Sequence, residues 1–128
     1  MPHAIQFNGG LTLSLAVSDL DRALAWYQSV LGFELIYRRD DIGWCELTTG
    51  VERVNLGLSV METVTPGGAT PTFGVEDIEA ARASLVDHGV SLDGEILVID
   101  ELVKLQTFYD PDGNSFMFYE ELAGAPYE

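Results

Sequence analysis

Trp44, Glu46 and Thr48 alternate with Cys45 and Leu47, which places an indole and a carboxylate on one face of a predicted strand. Such a pair can do recognition chemistry. The indole stacks on a flat or cationic group, and the carboxylate pairs with an amine, guanidinium or hydroxyl. The same residues can also pack at a dimer seam or stand in solvent, and alternation alone leaves both readings open. Other chemistries have less to work with. Cys45 is the only cysteine, so an intrachain disulfide and a cysteine-built zinc site are both excluded, and its strand setting reads as a buried structural thiol. Of the two histidines, His3 lies near the N-terminus and His88 near a predicted helix end, both surface positions. Serine and histidine form no nucleophile motif, and Gly67-Gly68 lacks the spacing of a phosphate loop. Asp40-Asp41 and Asp100-Glu101 read as turn or surface carboxylates.

The elements that position these residues follow from an internal repeat. Val17-Ser-Asp-Leu-Asp-Arg-Ala23 is echoed 58 positions later by Val75-Glu-Asp-Ile-Glu-Ala-Ala81. In each copy an apolar strand runs into an acidic helix start, and a glycine, Gly32 or Gly89, ends the helix. Leu11, Leu13, Leu15 and Val17 alternate with smaller or polar residues, the pattern of a half-buried strand. Ser18 with Asp21 has the form of a capping-box variant, and Leu20, Ala23, Leu24, Tyr27 and Leu31 share one helix face. Strands are predicted over 33–39, 43–49 and 53–60, followed by a linker over 63–69. The second half repeats the order: a strand at 70–75, a helix over about 77–88, and strands at 95–99, 102–109 and 115–120. The last two are joined by an Asp110-Pro-Asp-Gly-Asn114 turn of type I form. The expected fold is α+β, one domain of two β-α-β-β-β modules over about 10–60 and 70–121, with a tail at 122–128.

Four segments together carry a family resemblance: Val17-Ser-Asp-Leu-Asp-Arg-Ala-Leu-Ala-Trp-Tyr27, Leu31-Gly-Phe33, Val75-Glu-Asp-Ile-Glu79 and Asp110-Pro-Asp-Gly-Asn114. With them the chain resembles the vicinal oxygen chelate superfamily of glyoxalase I, extradiol dioxygenases, and fosfomycin- and bleomycin-resistance proteins. The resemblance implies paired modules curled into an open half-barrel around a cavity, and it implies homodimers. Metal enzymes of the family place His and Glu ligands at four strand positions. Here those positions carry Thr12, Thr70, Met117 and Gly57, or Asn55 if the register moves by one pair. Two threonines, a glycine and a methionine do not make a divalent-metal shell. No metal and no other cofactor is therefore expected.

Taking the face of Thr12 as the cavity side selects the rest of the lining. Thr12 and Ser14 come from the first strand, Trp44 and Glu46 from the third, and Asn55 and Gly57 from the fourth. Thr70, Thr72, Met117 and Tyr119 come from the second module. Leu11, Leu13, Leu15, Val54, Leu56, Leu58, Phe116 and Phe118 fall on the opposite, helix-covered face. Residues 102–109 are apolar on both faces, so their inward side is left open.

Twenty-one acidic against six basic residues give a formal charge of −15. Nucleic acid and anionic membranes need cationic contacts, so both are excluded as partners. The charge favours a cationic ligand, or reflects solubility or a salty habitat. No apolar run reaches the ~20 residues of a membrane span, and the first six residues lack the features of a signal peptide, so a cytoplasmic protein is expected. The leading expectation is a metal-independent binding protein that sequesters a cationic or aromatic small molecule. The alternative is a lyase, isomerase or oxygenase of the glyoxalase and dioxygenase type.

Overall fold

The computed structural model describes Ala4 and residues 6–123; His3 and most of the expected C-terminal tail lie outside them. The chain divides after Val64 into two compact units. The first runs β1 (Leu11–Val17), α1 (Leu20–Leu31), β2 (Leu35–Arg39), a 3-10 turn at Asp40–Ile42, β3 (Trp44–Thr48) and β4 (Val54–Val60). The second runs β5 (Thr72–Gly74), α2 (Ile78–Asp87), β6 (Ser91–Ile99), β7 (Val103–Tyr109) and β8 (Ser115–Glu121). Each unit forms a four-stranded sheet in corresponding order, β1-β4-β3-β2 and β5-β8-β7-β6, with the first pair parallel and the others antiparallel. The fold is α+β and built from two β-α-β-β-β units.

In the first unit α1 buries Leu20, Ala23 and Tyr27, and the sheet buries Cys45, Leu47, Leu56 and Leu58. Tyr27 stacks on Phe33 with centroids 6.1 Å apart. The β3 and β4 residues between these apolar ones are left on the other face. Leu11 departs from the expected pattern, staying 56% exposed at the open start of β1. The N-cap of α1 is Asp19 rather than Ser18: Asp19 Oδ1 accepts from Arg22 N at 3.0 Å. Ser18 Oγ instead accepts from Arg22 Nη2, and Asp21 pairs with Arg38, so neither completes a capping box. Gly32 ends the helix at φ 71, accepting the left-handed geometry that a side chain would resist.

In the second unit Ile78 and Leu85 of α2 are buried, as are Phe108 and Phe116, which stack at 5.6 Å. Asp77 caps α2 as Asp19 caps α1, accepting from Ala80 N at 3.1 Å. The ladder of β5 is shorter than expected because Pro71 has no N–H to donate; its carbonyl instead accepts from Met117 N. Strand β6 begins four residues earlier than expected. Gly94, at φ 72, sits in a register shift between Asp93 and Leu97 and breaks the alternation by which a strand is read. The Asp110–Asn114 turn closes as expected, with Gly113 N donating to Asp110 O at 3.0 Å.

Candidate ligand-binding face

Strand register decides which side chains share a face, because directly opposed residues point the same way. Thr12 opposes Asn55, Ser14 opposes Gly57, and Gly57 in turn opposes Glu46. The first unit therefore brings six of the sequence-selected residues (Thr12, Ser14, Trp44, Glu46, Asn55 and Gly57) onto the face away from α1. Glu46 is the centre of the group. Its Oε2 accepts from Asn55 Nδ2 at 2.9 Å and from Thr12 Oγ1 at 3.4 Å. Its Oε1 accepts from the Tyr37 hydroxyl at 3.1 Å, and Trp44 Nε1 donates to that same hydroxyl oxygen at 2.9 Å. One chain of hydrogen bonds thus ties the indole to the carboxylate.

Sequence reasoning did not select Tyr37. A register shift between Leu35 and Tyr37 places it opposite Glu46, and simple alternation along β2 carries no sign of that shift. The ring of Trp44 covers Gly57, where a Cβ would fall inside the benzo ring. Below the network, Asn8, Gly10, Leu11, Thr12, Arg53 and Asn55 line an open depression of about 380 Å³.

The remaining predicted residues lie on the second unit. Thr72 opposes Met117 and Gly74 opposes Tyr119, so Thr72, Met117 and Tyr119 share a face. Thr70 precedes β5, and its hydroxyl meets Ser115 Oγ at 2.9 Å. Tyr119 lies over Gly74, its hydroxyl oxygen 2.9 Å from where a Cβ would stand. The question left open for β7 is answered by its register. Leu105 and Thr107 oppose Tyr119 and Met117 and share their face. Lys104 and Gln106 turn to the helix, where Lys104 pairs with Glu79 and Gln106 Oε1 accepts from Arg82 Nε. Also on this unit, Asp77, Glu79 and Glu120 bring carboxylate oxygens within 4.8 Å of one another. Each has a partner already: Ala80 N, Lys104 Nζ and Ile78 N respectively.

Burial raises the Cys45 thiol above its ordinary pKa, which keeps it protonated and unreactive. Hydrogen bonds to Asp40 and Asp21 raise the Arg38 guanidinium, and the hydrogen bond from Arg39 lowers Asp41. These shifts belong to surface ion pairs beside α1 and the 3-10 turn, outside the Glu46 network.

The model of the Glyoxalase/Bleomycin resistance protein/Dioxygenase superfamily matches residues 10–118. The chain belongs to this superfamily. Among solved structures it is similar to a superfamily member from Sphaerobacter thermophilus, at 24% identity and TM-score 0.76, over 91% of this chain and 98% of that one. It is similar to TnmS3, an antibiotic binding protein from a Streptomyces species, at 25% identity and TM-score 0.76, over 94% and 100% of the two chains. It also shares the fold of FosX, a fosfomycin resistance protein from Listeria monocytogenes, at 14% identity and TM-score 0.73, over 96% and 97%. No curated protein matches the chain.

A divalent metal of the kind the superfamily implies does not fit the residues present. The position at Gly57 offers no donor, and the Trp44 ring fills the space above it. Asn55 turns an N–H toward Glu46, and the Thr70 hydroxyl is engaged with Ser115. The nearby carboxylate, Glu46, is a single donor where a divalent metal needs at least three protein ligands.

Proposed function

We propose that this superfamily member is a small-molecule binding protein that works without a metal, and that the Trp44–Glu46 face takes a cationic or aromatic ligand. The observation that carries the reading is the chain of hydrogen bonds from Trp44 through Tyr37 to Glu46. It fixes a stacking surface and a carboxylate on rigid strands before any ligand arrives, which lowers the ordering cost of binding. Asn55 and Thr12 hold the second carboxylate oxygen, so Glu46 is oriented from both sides. The charge of −15 favours capture of a cation at this carboxylate. The antibiotic-binding Streptomyces neighbour supports stoichiometric capture as the mode of action.

A metal-dependent lyase or oxygenase would need a Lewis acid that this donor set does not hold. The reading includes a cytoplasmic homodimer. Apolar residues exposed on the edge strands, Leu35 and Ile36 on β2 and Leu97 and Val98 on β6, support the second copy. No helix among the described residues is long and apolar enough to cross a membrane.

The test is a fluorescence titration with phenethylammonium and benzamidinium as probes, in a Trp26→Phe background that leaves Trp44 as the single tryptophan. Saturable quenching that Glu46→Gln weakens at least tenfold is expected. Quenching that is absent, or equal in Glu46→Gln, would contradict the reading.

A further inference from the structure

Six basic residues face 21 acidic ones, and most of them are engaged. Arg38 pairs with Asp21 and Asp40, Arg39 with Asp41, and Lys104 with Glu79. Arg82 donates to the buried Gln106, and Arg22 donates to Ser18. Arg53 differs. Its hydrogen bond runs from Nη2 to the backbone carbonyl oxygen of Asn8, at 2.6 Å, and no carboxylate among the described residues pairs with it.

The backbone directs Arg53 to this place. It holds φ 61, a left-handed conformation that a non-glycine residue adopts at a cost. The surrounding bonds enforce it: Val54 N donates to Val51 O at 3.3 Å, and Leu11 N donates to Arg53 O at 2.9 Å. The guanidinium is thereby folded back over Gly9 and Gly10. A Cβ on Gly9 would stand 3.4 Å from Nε, and one on Gly10 would stand 3.8 Å from Nη2. There it forms one wall of the 380 Å³ depression, whose lining is polar apart from Leu11 and glycine.

We propose that this depression is an oxyanion subsite, which takes a carboxylate or phosphate group of the ligand. A guanidinium carries five N–H donors in a planar fork that matches either group. Asn8 accepts from only one of its nitrogens. Thr12 and Asn55 line the depression and also donate to Glu46, so the two sites adjoin. The inference rests on the Glu46 reading for its wider meaning: the ligand is zwitterionic, with an ammonium or guanidinium for Glu46 and an oxyanion for Arg53. A free anion is repelled by the net charge, so a lone oxyanion binds weakly and the combined ligand tightly.

The test is an amide NMR titration of the full chain with inorganic phosphate and, separately, with acetate, at constant ionic strength. Saturable shifts at Gly10, Leu11, Thr12 and Asn55 are expected in the wild type. Arg53→Gly suits the left-handed turn and removes the fork; it should weaken binding at least tenfold, while Arg53→Lys retains part of it. Which of the two anions saturates identifies the group. No saturable shift with either, or undiminished binding in Arg53→Gly, would overturn the subsite. The cation reading is tested with phenethylammonium and the oxyanion subsite with phosphate and acetate, so failure of one and failure of the other give different results.

Discussion

The benzo ring of Trp44 occupies the space directly over Gly57, on the neighbouring strand, where any Cβ would collide with it. The two residues are not opposed in register; Trp44 faces Ser59, and Gly57 faces Glu46. The indole therefore leans diagonally along the sheet, which brings its Nε1 to the Tyr37 hydroxyl. A glycine at 57 makes this orientation possible, and the orientation in turn completes the Glu46 network.

Gly57→Ala should push Trp44 off the sheet and destabilise the protein by about 1–3 kcal/mol, the usual cost of overpacking. Gly50→Ala, where a Cβ meets nothing within 4 Å, is the control and should change stability by less than about 0.5 kcal/mol. Denaturant unfolding followed by tryptophan emission checks both. Equal effects of the two substitutions would contradict the packing described.

Tyr37→Phe removes one acceptor and one donor at once, leaving Trp44 Nε1 and Glu46 Oε1 to water. Tyr37 is 45% exposed, so the expected loss of stability is modest, about 1 kcal/mol or less. The more telling outcome, read in the Trp26→Phe background, is a change in Trp44 emission together with weaker probe binding than with Tyr37 present. Unchanged emission and binding would show that the chain of hydrogen bonds does not position the indole.

Cys45 is fully buried, and desolvation raises its thiol above the ordinary value of 9.0. At pH 8 the thiolate is then scarce, and reaction with a disulfide reagent should be slow in the native protein and fast in denaturant. Native labelling as fast as that of an unfolded chain would contradict the burial.

Tyr109 donates to Asp93 Oδ2 at 2.9 Å, and this hydrogen bond is the main cause of a phenol pKa raised above 10.0. The folded value exceeds the unfolded one, so the stabilisation is fully present below about pH 10 and is lost as pH rises through the folded value. Tyr109→Phe should remove this part of the alkaline decline. A decline of the same size in the variant would assign it to other groups.

The order of elements was legible because the repeat and the apolar alternation carry it. Asp19 and Asp77 mark equivalent helix starts, and Gly32 marks a helix end. Strand faces were legible wherever one side is apolar, as in Cys45 and Leu47 against Trp44 and Glu46. The misses have a common physical cause, which is that hydrogen-bond register is invisible to composition. Tyr37 reaches Glu46 only through a register shift, and Gly94 hides the first half of β6. On β7, Lys104 and Gln106 are polar yet face α2, because Glu79 and Arg82 satisfy them there. Arg53 escaped notice because its position depends on a left-handed residue inside a turn.

The most direct test of the central claim is binding by protein treated with chelator and verified as metal-free by elemental mass spectrometry. Thermal unfolding is then followed with phenethylammonium alone and with Zn²⁺, Ni²⁺, Mn²⁺ or Fe²⁺ added. The expected result is stabilisation by the probe that needs no metal, is lost in Glu46→Gln, and is matched by no saturable stabilisation from any of the metals. Stoichiometric metal uptake near one per chain, with probe binding that appears only when metal is present, would contradict the account and make a metal-dependent enzyme the better reading.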